Sequence, residues 1–142
     1  MSVVGQDLRN KVVARANGRC EYCQVSAEGQ IGAFPIDHIT PRNKAGTTVF
    51  GNLALSCPRC NAHKWAFDSG FDPLTRAEVR LFHPREDAWS DHFEWCLGEG
   101  RATINGNTPI GRATVERLKM NAEEVLEIRH LLWKLNPFLV KP

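Results

Sequence analysis

Residues 20–64 read CEYCQVSAEGQIGAFPIDHITPRNKAGTTVFGNLALSCPRCNAHK, and this stretch decides the fold. A CxxC pair lies at its start and another near its end, and 33 residues separate the two pairs. Zinc takes four thiolates in a tetrahedron, and each CxxC pair supplies two sulfurs from one tight turn. Two pairs close the shell and leave no open position, so the pattern predicts a structural zinc site. Its ligands would be Cys20, Cys23, Cys57 and Cys60.

Other interpretations of the cysteines explain less. A thioredoxin-like redox pair would need one CxxC beside a βαβ pattern, and none is evident. The N-terminal residues lack a basic region followed by an apolar one, so we expect a cytoplasmic protein. In that setting, paired CxxC motifs favour metal over disulfides. The fifth cysteine, Cys96, has no partner in the sequence, and we expect it to be a small buried apolar residue.

Composition and charge indicate an ordinary globular domain with one basic half. The chain has 142 residues, 42% of them hydrophobic and 24% charged, which fits a single domain. No run of about 18 apolar residues predicts a membrane span. Residues 1–64 carry eight Lys or Arg against four Asp or Glu, whereas residues 65–142 carry ten against twelve. The basic half holds the cysteines and favours an anionic partner there, although a solvated basic surface is the alternative.

Hydrophobic spacing predicts short helices and strands of the α+β class around the cysteine stretch. Helices are expected at residues 7–16, 60–67, 114–120 and 122–135, and strands at 33–39 and 77–82. The last helix would bury an apolar face of Leu126, Leu131 and Leu135, with Ile128 and Leu132 nearby. Gly18 suits the end of the first helix, and Asn105-Gly106 is a hairpin-turn signal. We expect one domain over 1–142, with an N-terminal helix region (1–19), a core (20–66) and an extension packed on it (67–142).

Polar residues inside the stretch have the chemistry that phosphodiester cleavage needs. Asp37 and Asn61 offer hard oxygen ligands for a divalent ion, which would stabilise the phosphorane and the leaving oxygen. His38 has a pKa suited to a general base near neutral pH. Neighbours on a regular strand point to opposite faces, so Asp37 and His38 share a site only at a strand end or in a distorted stretch. Asn52 is expected to tie the following loop to the backbone near His38.

The motifs CxxC, Asp-His-Ile-x-Pro, Gly-Asn-Leu and CxxCNxHK together resemble the signature of HNH endonucleases, over residues 15–65. The segments LFHPREDAWSDHFEW (81–95) and PIGRATVERLKMN (109–121) also resemble the tail of a bacterial group of stand-alone HNH proteins. The resemblance implies a ββα-metal (His-Me finger) core clamped by the four-cysteine zinc site, with additional short strands and C-terminal helices. It also implies a metal-dependent enzyme that hydrolyses DNA to 5′-phosphate and 3′-hydroxyl ends.

The resemblance also implies a role for each motif residue. Asp37 and Asn61 would bind the catalytic ion, His38 would be the general base, and Asn52 is the central Asn. The last motif position is often His in the family and is Asn here. This favours Mg²⁺ or Mn²⁺ over zinc at the catalytic position. His63 is left as a candidate support for the metal ligands.

Further residues are candidates for contact with DNA. Lys64 follows Asn61 by three residues, so on a helix both share a face and Lys64 could contact the scissile phosphate. Arg42, Lys44 and Arg59 are the other candidate phosphate contacts. Four aromatic residues, Trp89, His92, Phe93 and Trp95, either stack on bases or form a small core. Arg112 and Arg117 either touch phosphates or are solvated.

Two other function classes stay open at this point. One is a zinc-containing DNA-binding module that is catalytically silent. The other is a purely structural zinc protein, which does not explain why Asp37, His38, Asn52 and Asn61 fall in register. A nicking assay with magnesium or manganese separates the enzyme from both.

Overall fold

The computed structural model describes residues 4–99 and 101–142 and has the α+β class that the sequence predicts. Met1–Val3, which begin the expected N-terminal region, lie outside the described residues. The helices are α1 (Gln6–Arg15), α2 (Pro58–Lys64), α3 (Trp89–His92), α4 (Pro109–Arg117) and α5 (Glu123–Leu135). The strands are β1 (Ile36–His38), β2 (Leu53–Leu55), β3 (Ser69–Phe71), β4 (Glu78–Arg80), β5 (Phe93–Gly98) and β6 (Arg101–Gly106). They pair successively into three antiparallel hairpins.

Helix α1 supports the central hairpin from outside. Its Val12 is fully buried, and Arg15 donates hydrogen bonds to the carbonyl oxygens of Phe50 and Leu53, just before and within β2. Gly18 has a φ of +68°, and its N–H donates to the carbonyl oxygen of Val13 at 3.0 Å. This left-handed ending is the one that glycine predicts. The chain is thereby delivered to the first cysteine pair.

The central unit is the hairpin β1–β2 followed by α2. Asp37 pairs with Ala54 and His38 with Leu53 across the hairpin, and all of β2 is buried. Helix α2 begins where Cys57 accepts a hydrogen bond from the Cys60 N–H at 3.4 Å, with proline at the first helical position, where its missing N–H is harmless. The helix therefore starts inside the second CxxC, two residues earlier than predicted.

The predicted turn at Asn105-Gly106 is wrong, because both residues belong to β6. The glycine is needed for close approach instead. A Cβ on Gly106 would lie 2.4 Å from the backbone nitrogen of Arg112 in α4. The β5–β6 turn falls after Gly98, where Glu99 has a φ of +52°.

The buried face of α5 also differs from the prediction. Leu126 and Leu132 are buried as expected. Leu131 and Leu135, by contrast, are 62% and 78% exposed, and Ile128 is also exposed. The helix instead turns Arg129 into the interior, so the inward face runs through positions 126, 129 and 132, which are also at helical spacing.

The aromatic residues of the extension form a core rather than an open stacking surface. Trp89 stacks on Trp95 with ring centroids 5.9 Å apart. Phe93 is buried, and its ring contacts those of Phe82 and Trp89. The Trp89 ring N–H donates to the Tyr22 carbonyl oxygen at 2.7 Å. Of the two interpretations, the small core is confirmed. Cys96, predicted to be buried, is exposed on β5.

None of the helices in the described parts of the chain has the length and apolar character needed to cross a membrane.

Candidate active site and its zinc clamp

The four paired cysteines converge, as their spacing predicts. Their sulfur atoms all lie within 4.8 Å of one another, and all four residues are buried. The Cys23 and Cys57 sulfurs are 3.7 Å apart. A tetrahedron with Zn–S bonds of about 2.3 Å has edges of about 3.8 Å. The cluster therefore fits a closed structural zinc site. Hydrogen bonds to the Cys20 sulfur, together with burial, raise the pKa of the Cys23 and Cys60 thiols, so four thiolates need a cation to coexist here.

A buried arginine faces the same cluster. Arg129 is 3% exposed and lines a groove together with Cys23, Cys57 and Cys60. One of its nitrogens, Nη1, donates to the Ala102 carbonyl oxygen at 3.1 Å, whereas Nη2 is buried without a hydrogen-bond partner among the described residues. Burial lowers the pKa of Arg129, and the cysteine sulfurs raise it. Arg129 thus places a positive charge beside four sulfurs that carry negative charge when they bind zinc.

Tyr22 connects the first cysteine knuckle to the candidate catalytic residues. It lies between Cys20 and Cys23 and is fully buried. Its hydroxyl donates to Oδ2 of Asp37 at 2.6 Å. Burial and the neighbouring carboxylate raise the pKa of Tyr22 well above its ordinary value, so the hydroxyl stays a donor. The knuckle and Asp37 are therefore held in a fixed relation.

Lys64 neutralises Asp37 inside the protein. Its ammonium lies 3.0 Å from Oδ2 of Asp37, and the two side chains are 1% and 4% exposed. It also donates to the carbonyl oxygens of His38 and Ile39 at 3.2 and 3.1 Å. Burial raises the pKa of Asp37, and Lys64 and Tyr22 lower it. The expected contact of Lys64 with a phosphate is wrong for this geometry, because its ammonium is enclosed by protein.

Asp37, His38 and Asn61 line one cleft of about 310 Å³. His38 is the last residue of β1, so the two neighbours share a site at a strand end, as predicted. The side-chain amide of Asn61 makes no hydrogen bond within the described residues, and the Asp37 carboxylate keeps lone pairs beyond those that Tyr22 and Lys64 occupy. A carboxylate and an amide oxygen on one cleft are a donor set that fits Mg²⁺ or Mn²⁺.

His38 is held by the loop that follows it. Its Nε2 lies 2.9 Å from the hydroxyl oxygen of Thr48. Burial lowers the pKa of His38, and Arg42 and Lys64 act in the same direction, while Asp37 opposes them. The imidazole is therefore neutral near pH 7, which is the state that a general base requires.

Asn52 ties this loop together, as the sequence predicts. Its amide oxygen accepts from the Thr40 N–H at 2.9 Å. Its amide nitrogen donates to the carbonyl oxygens of Thr40 and Thr47 at 3.1 and 2.9 Å. These bonds close the loop next to Thr48, the residue that contacts His38. Asn52 thus acts on His38 through the backbone and is not among the residues that line the cleft.

Two candidate phosphate contacts, Arg42 and Lys44, lie in the loop after His38. Both are exposed, but they differ in whether their charge is paired within the protein. Arg42 lines the cleft, and its guanidinium has no hydrogen bond or ion pair in the part of the chain that the structure describes. Lys44 lies beside it in sequence but pairs with Asp68 at 2.7 Å. Arg42 is therefore the candidate whose charge is free for an external partner.

The remaining basic candidates are occupied elsewhere. Arg59 pairs with Glu124 of α5 at 2.9 Å and lines the groove beside the cysteines. His63 lies 3.4 Å from Arg59 and is not among the residues that line the cleft, so its support of the metal ligands stays a prediction.

Arg112 and Arg117 in α4 fit neither alternative that the sequence left open. Arg112 binds the buried Asp72 through two hydrogen bonds of 2.9 Å and holds the pKa of that carboxyl well below its usual range. Arg117 lies over the Phe67 ring, 3.9 Å from its centroid. Both side chains therefore connect α4 to the segment that follows α2.

The sequence did not predict a role for Tyr22, Thr48 or Arg129, nor for Trp65, which lines the cleft. Tyr22 has no motif of its own, although a large aromatic inside a cysteine knuckle is a signal of burial. Thr48 carries no signal in an otherwise polar loop. Arg129 could have been found by its place at helical spacing between Leu126 and Leu132.

Comparison with known proteins agrees with this geometry. The family model for the HNH endonuclease matches residues 20–66. These residues are an HNH endonuclease domain. The Septu protein PtuB of Bacillus thuringiensis is 28% identical over 111 residues, which cover 75% of this chain and 38% of that protein. The chain therefore spans well under half the length of this curated relative, and the likeness extends beyond the HNH segment. No solved structure gives a significant match.

Proposed function

We propose that this chain is an endonuclease that hydrolyses phosphodiester bonds in DNA with the help of a divalent ion. The observation that carries the proposal is the convergence of Asp37, His38 and Asn61 on one cleft of the HNH domain. The exposed Arg42 on the same cleft gives a site for a phosphate. The proposed setting is the cytoplasm, and the likeness to the Septu protein PtuB makes a related role a candidate.

His38 is the proposed general base. Its Nε2 contacts the Thr48 hydroxyl, which leaves Nδ1 to accept a proton from the attacking water. The lowered pKa of His38 keeps the acceptor form available near pH 7. Thr48, fixed by the hydrogen bonds of Asn52, sets the rotation of the ring.

Asp37 and Asn61 are the proposed ligands of the catalytic ion. When bound, Mg²⁺ or Mn²⁺ would supply positive charge for the phosphate and for the leaving 3′ oxygen. Tyr22 and Lys64 orient the Asp37 carboxylate from the protein side, and both lower its pKa against the larger effect of burial, which raises it. Zinc on the four cysteines would fix Tyr22, and through it Asp37, without taking part in the reaction.

The decisive experiment compares wild type with His38→Ala on supercoiled plasmid and labelled duplexes, with magnesium or manganese. Loss of a general base should reduce cleavage by about 10²- to 10⁴-fold. DNA affinity should change little, because the base acts on the water and not on ground-state binding. His130→Ala, on the half-buried histidine of α5, is the matched control and should cut normally.

Melting temperature and zinc content are measured on each variant before its activity is interpreted. A folded His38→Ala protein that cuts at the wild-type rate would remove His38 from the mechanism. If wild type cuts no DNA with any divalent ion yet binds it, the silent DNA-binding module becomes the better description.

A further inference from the structure

Trp65 is a large aromatic residue at an unusual place. It directly follows α2, lines the same cleft as Asp37 and His38, and is 74% exposed. The other tryptophans, at positions 89, 95 and 133, are all partly buried. An exposed tryptophan next to a catalytic cleft gives nothing to the core, so its packing does not explain it.

The backbone of Trp65 is strained as well. Its φ and ψ are 46° and −120°, a combination that glycine adopts with ease and other residues rarely. Two hydrogen bonds of 2.9 Å impose it, from the Trp65 N–H to the Asn61 carbonyl and from the Phe67 N–H to the Lys64 carbonyl. Lys64 itself is fixed in the interior by Asp37. Glycine would suit this helix end, and strained non-glycine residues are concentrated at functional sites.

The neighbours of Trp65 support the ring without covering it. Phe67 contacts it edge-on, with centroids 5.9 Å apart and an interplanar angle of 70°. The guanidinium of Arg117 lies 3.9 Å above Phe67 and holds that ring in turn. Arg42 and Asn43 line the same cleft as Trp65. The cleft thus offers a flat apolar surface together with a free positive charge, the pair of features that receives a base and its phosphate.

We propose that Trp65 is a stacking platform for an unpaired base of the strand that lies in the cleft. A base inside a duplex has both faces covered by its neighbours, so an indole can stack only on a base that has left the stack. The preferred ligand is therefore DNA with a single-stranded segment or an extruded base beside the cleft. The proposal rests on the proposed function for the identity of the strand as DNA.

The test measures binding of three fluorescein-labelled DNAs by anisotropy in calcium buffer: a single strand, a duplex with one unpaired base, and a fully paired duplex. Trp65→Gly should weaken binding of the first two by roughly 5- to 150-fold and leave the paired duplex unchanged. Trp65→Phe should keep part of the preference. Phe138→Ala removes another exposed aromatic, 68% accessible on the C-terminal 3₁₀ turn, and should change nothing.

Two further readouts separate stacking from a structural role. Trp65→Gly should melt no lower than wild type, because glycine relieves the strained backbone. A 2-aminopurine placed at the unpaired position should lose fluorescence on wild type but not on Trp65→Gly. A lower melting temperature for Trp65→Gly with unchanged DNA binding would overturn the proposal and make Trp65 structural.

The outcomes also distinguish this inference from the proposed function. If wild type cleaves DNA and Trp65→Gly binds each of the three DNAs as tightly as wild type does, the stacking role is overturned and the nuclease proposal stands. If binding of unpaired DNA depends on Trp65 but wild type cleaves no DNA, the stacking role stands and the nuclease proposal is overturned. If wild type binds none of the three DNAs, Trp65 does not serve DNA, and a protein partner for its ring becomes the alternative.

Discussion

Replacing Lys64 with methionine should destabilise the protein strongly, although the substitution keeps the length and apolar stem of the side chain. Lys64 is 1% exposed and is 3.0 Å from Asp37, which is itself 4% exposed. Removal of one partner of a buried pair leaves an uncompensated charge and costs about 3–5 kcal/mol. The carbonyl oxygens of His38 and Ile39 also lose their donor. Since domains have total stabilities of about 5–15 kcal/mol, the loss is a large fraction of the whole.

The expected loss corresponds to a drop in melting temperature of roughly 6–20 °C, at about 2–4 °C per kcal/mol for a chain of this size. It would be measured by urea and thermal unfolding in zinc-containing buffer. Lys44→Met is the matched control, because Lys44 pairs with Asp68 at 2.7 Å while both side chains are 42% exposed. A surface pair of this kind contributes about 0–1 kcal/mol.

Two further measurements test the cause. Adding Asp37→Asn to Lys64→Met should recover part of the stability, because it removes the stranded charge. Without Lys64, burial raises the folded-state pKa of Asp37 above its unfolded value. The folded state then binds the extra proton, so the deficit of Lys64→Met should shrink as the pH falls. If Lys64→Met is no less stable than Lys44→Met, the buried ion pair of Lys64 and Asp37 does not stabilise the protein and the reasoning is refuted.

Three other outcomes follow from the same contacts. Cys57→Ser should lose bound zinc and much of the folded state, measured by metal analysis and circular dichroism, because structural zinc contributes folding free energy. Arg129→Met should release zinc to a chelator faster than wild type, whereas Arg101→Met, which removes an exposed arginine, should not. Cleavage should decrease as the pH falls through the folded-state pKa of His38, which burial places below 6.5. The cleavage rate should not change with pH above that pKa, since the neutral imidazole is the active form. A cleavage rate that already falls with decreasing pH above 6.5 would contradict this.

The parts of the site that the sequence predicts are those fixed by local geometry. A CxxC pair places two sulfurs on one turn, so the four-cysteine cluster follows from spacing alone. His38 ends a strand that prolines at 35 and 41 bracket, which explains why it shares a cleft with Asp37. Asn52 closes a loop between residues near it in the chain, and such polar side-chain to backbone bonds are typical of loops.

The parts that the sequence did not predict depend on residues far apart in the chain. Arg129 reaches a cysteine cluster that is complete by residue 60, and no local pattern indicates that contact. Lys64 follows Asn61 by three residues, which predicted that both face the cleft. Instead, the ion pair with the buried Asp37 holds the Lys64 side chain in the interior. Asn105-Gly106 is a second example of a feature that the local sequence cannot decide. Glycine is suited both to a hairpin turn and to a close approach of a helix, and here the position of α4 requires the second.

The four-cysteine cluster and the cleft are connected, because each CxxC pair lies next to residues of the candidate site. Tyr22 lies within the first knuckle and donates to Asp37. Asn61 directly follows the last cysteine, and Lys64 lies one turn further along α2. Zinc on the four sulfurs would therefore fix Asp37 from one side and Asn61 from the other, across an insert of 33 residues. A catalytic ion needs its ligands at fixed separation. We therefore propose that the structural zinc helps to set the separation of Asp37 and Asn61, in addition to stabilising the fold.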